Sequence, residues 1–314
     1  DLTAMGAAAE RASASAATVT ATSAATDAAT ATGRSLAGGK WKIHLFSKHL
    51  QFIGYREMAD TLAACGLDGA DLTVRPGGHV LPENVERDLP LAARALREAG
   101  VELTMITSRI TDPEDPLTGR ILSVAAEQGI RYYRLGYYHY DPEMSTLENL
   151  DHFRKNMSGL ARLNEKYGIH GAYQNHAGRY FGAPVWDLWE VLKDLDPRWM
   201  GCQYDIRHAV VEGADTWARP LNLLKDYIRC MVIKDFRWKE EGGQARVVNT
   251  PIGEGIVDFP AYFELLEEYR ISGPISLHME YELFPDRSMP PGQKREFAVR
   301  AINRDLEALK DFLP

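Results

Sequence analysis

Met200-Gly-Cys-Gln-Tyr-Asp205, with His208 just after it, is a short apolar run that closes on a carboxylate and an imidazole. Three more runs have the same form: Gly171-Ala-Tyr-Gln-Asn-His176, Cys230-Met-Val-Ile-Lys-Asp235 and Ile275-Ser-Leu-His-Met-Glu280. Each has the length of a strand, and a strand buried on both faces reads as a nearly continuous apolar run. A parallel barrel gathers its functional groups at the carboxyl ends of its strands. Four successive polar endings therefore predict one shared pocket, and an enzyme.

Outward from these runs, strand candidates lie at 41–46, 69–74, 101–107, 131–136, 170–175, 200–205, 229–234 and 274–280. Segments of helical period alternate with them, near 54–65, 86–99, 116–128, 145–167, 184–194, 216–227, 258–270 and 291–312. Ser145 stands three residues before Glu148 as a capping box, and Gly66, Gly100, Gly129 and Gly168 follow helical runs as stop signals. Eight such units across residues 40–314 predict a single-domain α/β protein, a (β/α)8 TIM barrel. An open doubly wound sheet would need a glycine-rich phosphate loop after an early strand. Arg75-Pro-Gly-Gly-His79 lacks that spacing and reads as a turn.

Residues 1–39 form an Ala/Thr/Ser-rich tract with little to bury, so they read as an extension or linker ahead of the barrel. The tract fits the region behind an export signal, as in an exported or periplasmic protein whose signal has been removed; the alternative is a linker on a cytoplasmic protein. Cys65, Cys202 and Cys230 have neither metal nor redox spacing and read as core residues. A net charge of −8 argues against nucleic acid as a partner, and no apolar stretch is long enough for a membrane span. Assembly into a homo-oligomer is left open.

Side chains alternate across a strand, so Gln174 and His176 share a face, as do Gln203 and Asp205, Val232 and Lys234, and His278 and Glu280. With those faces turned to the barrel axis, carboxylates, imidazoles, an amide and an amine meet at the mouth. Such donors suit Mn²⁺, Mg²⁺, Zn²⁺ or Co²⁺. Glu280, His176 and Lys234 are the candidates for acid–base work, while His278 lies deeper and reads as a core histidine. Lys48, Arg75, His79, Arg134 and His208 are the candidates for holding the oxygens of a carbohydrate. The stretch from Phe236 to Gly255, with Pro251-Ile-Gly-Glu-Gly255, reads either as a lid or as a short hairpin with a turn.

From Trp41 to Pro314 the chain resembles the xylose isomerase-like TIM barrels, a group of sugar phosphate isomerases and epimerases that also includes endonuclease IV. In that group a metal is held by a Glu ending strand five, an Asp in a DxxH ending strand six, a His in an HxKD ending strand seven and a Glu ending strand eight. This chain keeps Asp205-Ile-Arg-His208 and Glu280. It departs at Gln174, where a Glu is expected, and at Val232, where a His is expected.

The resemblance implies a divalent metal held by Gln174, Asp205, His208 and Glu280. It implies a sugar isomerase or epimerase that removes a proton next to a carbonyl, with the metal polarising the carbonyl oxygen. One alternative is a lyase that cleaves glycosides, 3-keto-glycosides among them, by elimination. Another is a non-catalytic sugar-binding protein whose metal site has decayed. Phosphodiester cleavage in the manner of endonuclease IV is disfavoured, because Val232 removes a ligand its metal cluster needs.

Overall fold

The computed structural model describes residues 40–313, so the expectations for residues 1–39 fall outside the described residues. The first half of the barrel runs β1 (Ile43–Phe46), α1 (Tyr55–Ala64), β2 (Gly69–Thr73), α2 (Val85–Glu98), β3 (Glu102–Thr107), α3 (Pro116–Glu127), β4 (Tyr132–Arg134) and α4 (Thr146–Tyr167). The second half runs β5 (His170–Gln174), α5 (Trp186–Leu192), β6 (Met200–Asp205), α6 (Ile206–Gly213), α7 (Ala218–Leu224) and β7 (Ile228–Ile233). It continues with β8 (Asp235–Glu241), β9 (Gln244–Thr250), α8 (Phe259–Glu268), β10 (Ile275–Leu277) and α9 (Pro291–Lys310). Eight of these strands close into a parallel barrel in the order β1-β10-β7-β6-β5-β4-β3-β2, as the alternation predicts; β8 and β9 form a separate antiparallel hairpin.

Local chemistry sets many of the boundaries. Ser145 accepts from the Glu148 amide at 3.2 Å and Glu148 reaches back to the Ser145 amide at 2.8 Å, which starts α4. Gly168 ends it in the left-handed region at φ 66°. Asp115 and Asp258 cap α3 and α8 in the same way, accepting from Leu117 and Ala261.

Alternation then sorts the strand residues between two environments. Leu45, Leu72, Tyr173, Tyr204, Ile233 and Leu277 pack with helix residues such as Met58 and Leu89 in the main apolar core between barrel and helices. The opposite faces fill the barrel with small and polar groups. Met105, Ala172 and Cys230 form a minor apolar cluster there. Asp71 is fully buried beside it and accepts from Thr107 at 2.8 Å and Ser276 at 2.7 Å, which ties β2, β3 and β10 across the lumen. All three cysteines are free and buried. Among the described residues no helix is long and apolar enough to cross a membrane.

Two details differ from the sequence expectation, and a third matches one of its two readings. β4 and β10 are short, with three residues each, because the chain leaves the barrel early to build the mouth. An additional helix, α6, starts directly at Ile206 ahead of the expected one near 216, which is α7, since the Asp205 side chain caps α6 by accepting from the His208 amide at 3.1 Å. The region after β7 is a hairpin followed by a turn. Asp235, buried at its base, accepts from the amides of Phe236 (2.8 Å), Gly253 (3.0 Å), Gly255 (2.9 Å) and Val257 (3.2 Å). A side chain on Gly255 would collide with the Asp235 carboxylate, so glycine is required for that approach. The Pro251–Gly255 run is thus pinned to the barrel rim. Asp235→Ala leaves four amides without their acceptor, and the unfolding free energy is expected to fall by about 3 kcal/mol. Urea denaturation followed by circular dichroism measures it; a loss within experimental error would refute the pinning role.

Candidate active site

Asp205 ends β6 with no exposed surface. Its Oδ1 caps α6, and its Oδ2 accepts from Gln174 Nε2 at 2.7 Å and from Lys234 Nζ at 3.0 Å. Asn175 fixes the backbone beneath: Asp205 N donates to Asn175 Oδ1 at 2.7 Å, and Asn175 Nδ2 donates to Asp205 O at 3.0 Å. These contacts clamp the ends of β5, β6 and β7 together around one buried negative charge.

Gln174 ends β5 as a two-sided connector. Its amide nitrogen serves Asp205, while its Oε1 accepts from Arg134 Nη1 at 2.8 Å and from the Tyr137 hydroxyl at 2.7 Å. A glutamate in this position would set a second anion against Asp205. The amide both donates and accepts, so the departure from the family pattern suits its neighbours.

His208 sits between two basic groups. Arg207 Nη1 lies 2.9 Å from its Nδ1 and Lys234 Nζ lies 2.8 Å from its Nε2. Burial above all, then Lys234 and the His176 ring, hold the imidazole well below its ordinary range, so it is neutral. A guanidinium only donates, so Nδ1 accepts and the ring hydrogen is on Nε2, pointing at Lys234. Lys234 is 5% exposed; burial lowers its basicity, opposed by Asp205 and then Glu280. The geometry is satisfied when Lys234 is an amine that accepts from His208 and donates to Asp205.

At the end of the eighth barrel strand, the Glu280 carboxylate pairs with Lys48 Nζ at 2.9 Å, and Asn249 from the hairpin donates to the Glu280 carbonyl at 3.1 Å. Burial works to raise the Glu280 carboxyl, but Lys234, Lys48 and His49 outweigh it and hold it at about 2. His176 stacks on His208, their ring centroids 3.9 Å apart, and donates from Nδ1 to the Ala177 carbonyl at 2.9 Å. Burial, followed by Lys234, lowers it to about 4 and keeps it neutral.

A cavity of about 310 Å³ opens onto this group, lined by Lys48, Arg75, Arg134, His176, His208, Lys234 and Glu280 among others. The structure therefore brings together every expected site residue except His79. Gln174 and Asp205 lie just beneath the lining, in hydrogen-bond contact with it. His79 spends its nitrogens on Ser47 Oγ (3.1 Å) and the Leu50 carbonyl (3.2 Å), outside the cavity lining, where it fixes the loops after β1 and β2. His278 is a core residue as expected, bonded to Ser276 at 3.1 Å and stacked on Phe46. Sequence reasoning missed Arg207 and Asn249, joined to each other at 2.5 Å. Arg207 lies inside the Asp205-Ile-Arg-His208 motif and was legible as a cation flanked by site residues. Asn249 carries no local signal.

As they stand, the expected metal ligands do not fit a divalent ion. The Oδ2 of Asp205 is taken by an amide and Lys234, both His208 nitrogens face basic side chains, and Glu280 is held by Lys48. Among the described residues no three His, Cys, Asp or Glu side chains are grouped to hold a metal. The amine of Lys234 stands between Asp205 and His208, where an ion shared by those two residues would have to sit.

Solved structures with this fold include the D-allulose 3-epimerase from Methylomonas sp., at 16% identity and TM-score 0.64, covering 88% of this chain and 99% of that one. The 3-keto-D-glucoside 4-epimerase YcjR from E. coli has 18% identity and TM-score 0.55, covering 83% and 98%. A xylose isomerase-like TIM barrel protein from Mycobacterium smegmatis, in complex with magnesium, has 15% identity and TM-score 0.59, covering 87% and 99%. At these identities the likeness is one of fold. A search of curated proteins gives no match. The family model described as xylose isomerase-like TIM barrel matches residues 59–312, well over half of the chain. This protein belongs to the xylose isomerase-like TIM barrel family.

Proposed function

We propose that this protein is a sugar isomerase or epimerase that removes a proton next to a carbonyl, with Lys234 as the base. The observation that carries this reading is the Asp205–Lys234–His208 contact, 3.0 and 2.8 Å, at the floor of a cavity with the volume of a monosaccharide site. Epimerases acting on D-allulose and on 3-keto-D-glucosides share the fold and support the sugar assignment.

In the proposed reaction the Lys234 amine turns its lone pair from the His208 Nε2–H to the substrate, takes the α-proton and becomes an ammonium stabilised by Asp205. Arg134 and Lys48, cations on the cavity wall, stabilise the charge that develops on the carbonyl oxygen. Lys234 then returns the proton to the neighbouring carbon for isomerisation; for epimerisation a water molecule delivers a proton to the opposite face of the same carbon, and Lys234 gives its proton up to solvent. Neutral His176 offers its free Nε2 to a substrate hydroxyl. Glu280 is the weaker base while paired with Lys48, and its part is to orient that cation. No step passes through a metal, because the donors around Asp205 are already engaged.

Incubation with a panel of keto-sugars in deuterated water tests the reading: deuterium enters the carbon next to the carbonyl of an unbroken sugar. No exchange on any keto-sugar would refute it, and release of an aglycone from a 3-keto-glycoside would assign elimination instead. Lys234→Met keeps the buried stem but lowers exchange by about 10²- to 10⁴-fold; retained exchange would remove Lys234 from the reaction.

The amine is the active form, so kcat/KM should rise with pH through the Lys234 ionisation and fall on acidification. Asp205 favours the ammonium, so Asp205→Asn should move that acid limb to lower pH. A pH profile with an unmoved limb contradicts the assignment. Treatment with EDTA should leave both exchange and unfolding midpoint unchanged. Loss of exchange that Mn²⁺ restores would show that a metal performs the step.

A further inference from the structure

Six basic side chains line the mouth, and two of them are matched by carboxylates. Lys234 pairs with Asp205 and Lys48 with Glu280. Asp71, the next buried carboxylate, spends both oxygens on Thr107 and Ser276. Arg207 is engaged by His208 and Asn249. Arg75, Arg109 and Arg134 remain, and all three line a second cavity of about 360 Å³ at the ends of β2, β3 and β4.

These three guanidiniums have no carboxylate partner among the described residues. Arg134 is 5% exposed, its one hydrogen bond goes to a neutral amide, and its Nε is buried without an acceptor. Arg75 and Arg134 lie over the same Phe46 ring, at 5.4 and 5.7 Å from its centroid. Burial, and after it the nearby Arg134 and Arg109, disfavours the charge on Arg75. Guanidinium groups stay protonated in proteins, so the crowding is relieved by an anion and not by loss of a proton. The net charge of −8 makes such a positive cluster a local feature of the mouth.

We propose that Arg75, Arg109 and Arg134 form an oxyanion subsite that selects a sugar bearing a carboxylate or phosphate group, bound beside the reacting carbons. Arg134 lines both cavities, so one side chain links the anion to the proton-transfer centre. This inference rests on the sugar-active reading above and adds its substrate class. The planar fork of each guanidinium matches two oxygens of either anion, which sets acidic sugars apart from neutral ones.

Calorimetric titration of the full chain with D-glucuronate, D-glucose 6-phosphate and D-glucose tests the subsite without turnover. At least one acidic sugar should bind about tenfold or more tightly than glucose, the size of one charge-assisted hydrogen bond. The preferred acid identifies carboxylate or phosphate as the selected group. Added NaCl should weaken that binding in the wild-type protein and leave glucose unaffected. Arg75→Gln combined with Arg109→Gln should bring the acid down to the level of glucose. Equal affinity for all three sugars, no binding of either acid, salt-insensitive binding, or a double variant that keeps the preference would each overturn the proposal. Deuterium exchange on neutral keto-sugars reads the proton-transfer chemistry separately, so the subsite and the isomerase reading can fail independently.

Discussion

A single buried carboxylate organises this mouth. Asp205 has no contact with solvent, and an unpaired anion there would be prohibitively costly, so each oxygen must be answered by a donor. The answers come from three different elements: the α6 amide of His208, the amide of Gln174 on β5, and Lys234 just beyond β7. Satisfying one charge therefore fixes the ends of three strands and the start of a helix. The position of Lys234 at the pocket follows from the same requirement.

The two departures from the family pattern make sense against that anion. Val232 stands level with Asp205 in the strand register, so a histidine there would lie beside the carboxylate. Lys234 lies two residues further along the same face, about 6.6 Å higher, and a four-carbon stem spans that distance to return its amine to Asp205. Once an amine occupies the spot, a glutamate at 174 would leave two anions facing one basic group. Glutamine removes the surplus charge and keeps the hydrogen bond. The substitutions at 174 and 232 are thus two sides of one electrostatic adjustment.

How much of this was legible in the chain depends on how local each feature is. The barrel was readable because eight apolar runs alternate with helical segments, and strand parity alone placed Gln174, Asp205, Lys234 and Glu280 on facing surfaces. Asp205 reads in the sequence only as a strand-ending carboxylate, whereas in the structure one oxygen caps α6 and the other accepts from Gln174 and Lys234. Helix α6 was not visible because its cap is also the strand's last residue, so strand and helix share a boundary without a linker. His79 misled because a loop histidine beside an arginine resembles a ligand contact, whereas its nitrogens are spent on fixing loop geometry. Asn249 and Arg109 reach the mouth through hairpin and loop paths that no periodicity encodes.

Charge accounting at the mouth also supports the proposal of a working site over a decayed one. A site drifting without function would accumulate buried polar groups with no partners, and such groups are costly. Here the carboxylates are each matched, the amide at 174 uses both its donor and its acceptor, and His208 is bonded at both nitrogens. At the cavity wall the Nε atoms of Arg134 and Arg207 are unsatisfied and Arg75 and Arg109 have no carboxylate partner, while deeper in the barrel the Gln203 amide is also unpaired. Guanidiniums left without an anion at a cavity wall are poised for a ligand. That surplus of donors, more than the resemblance of the fold, is what supports the proposal of a working site.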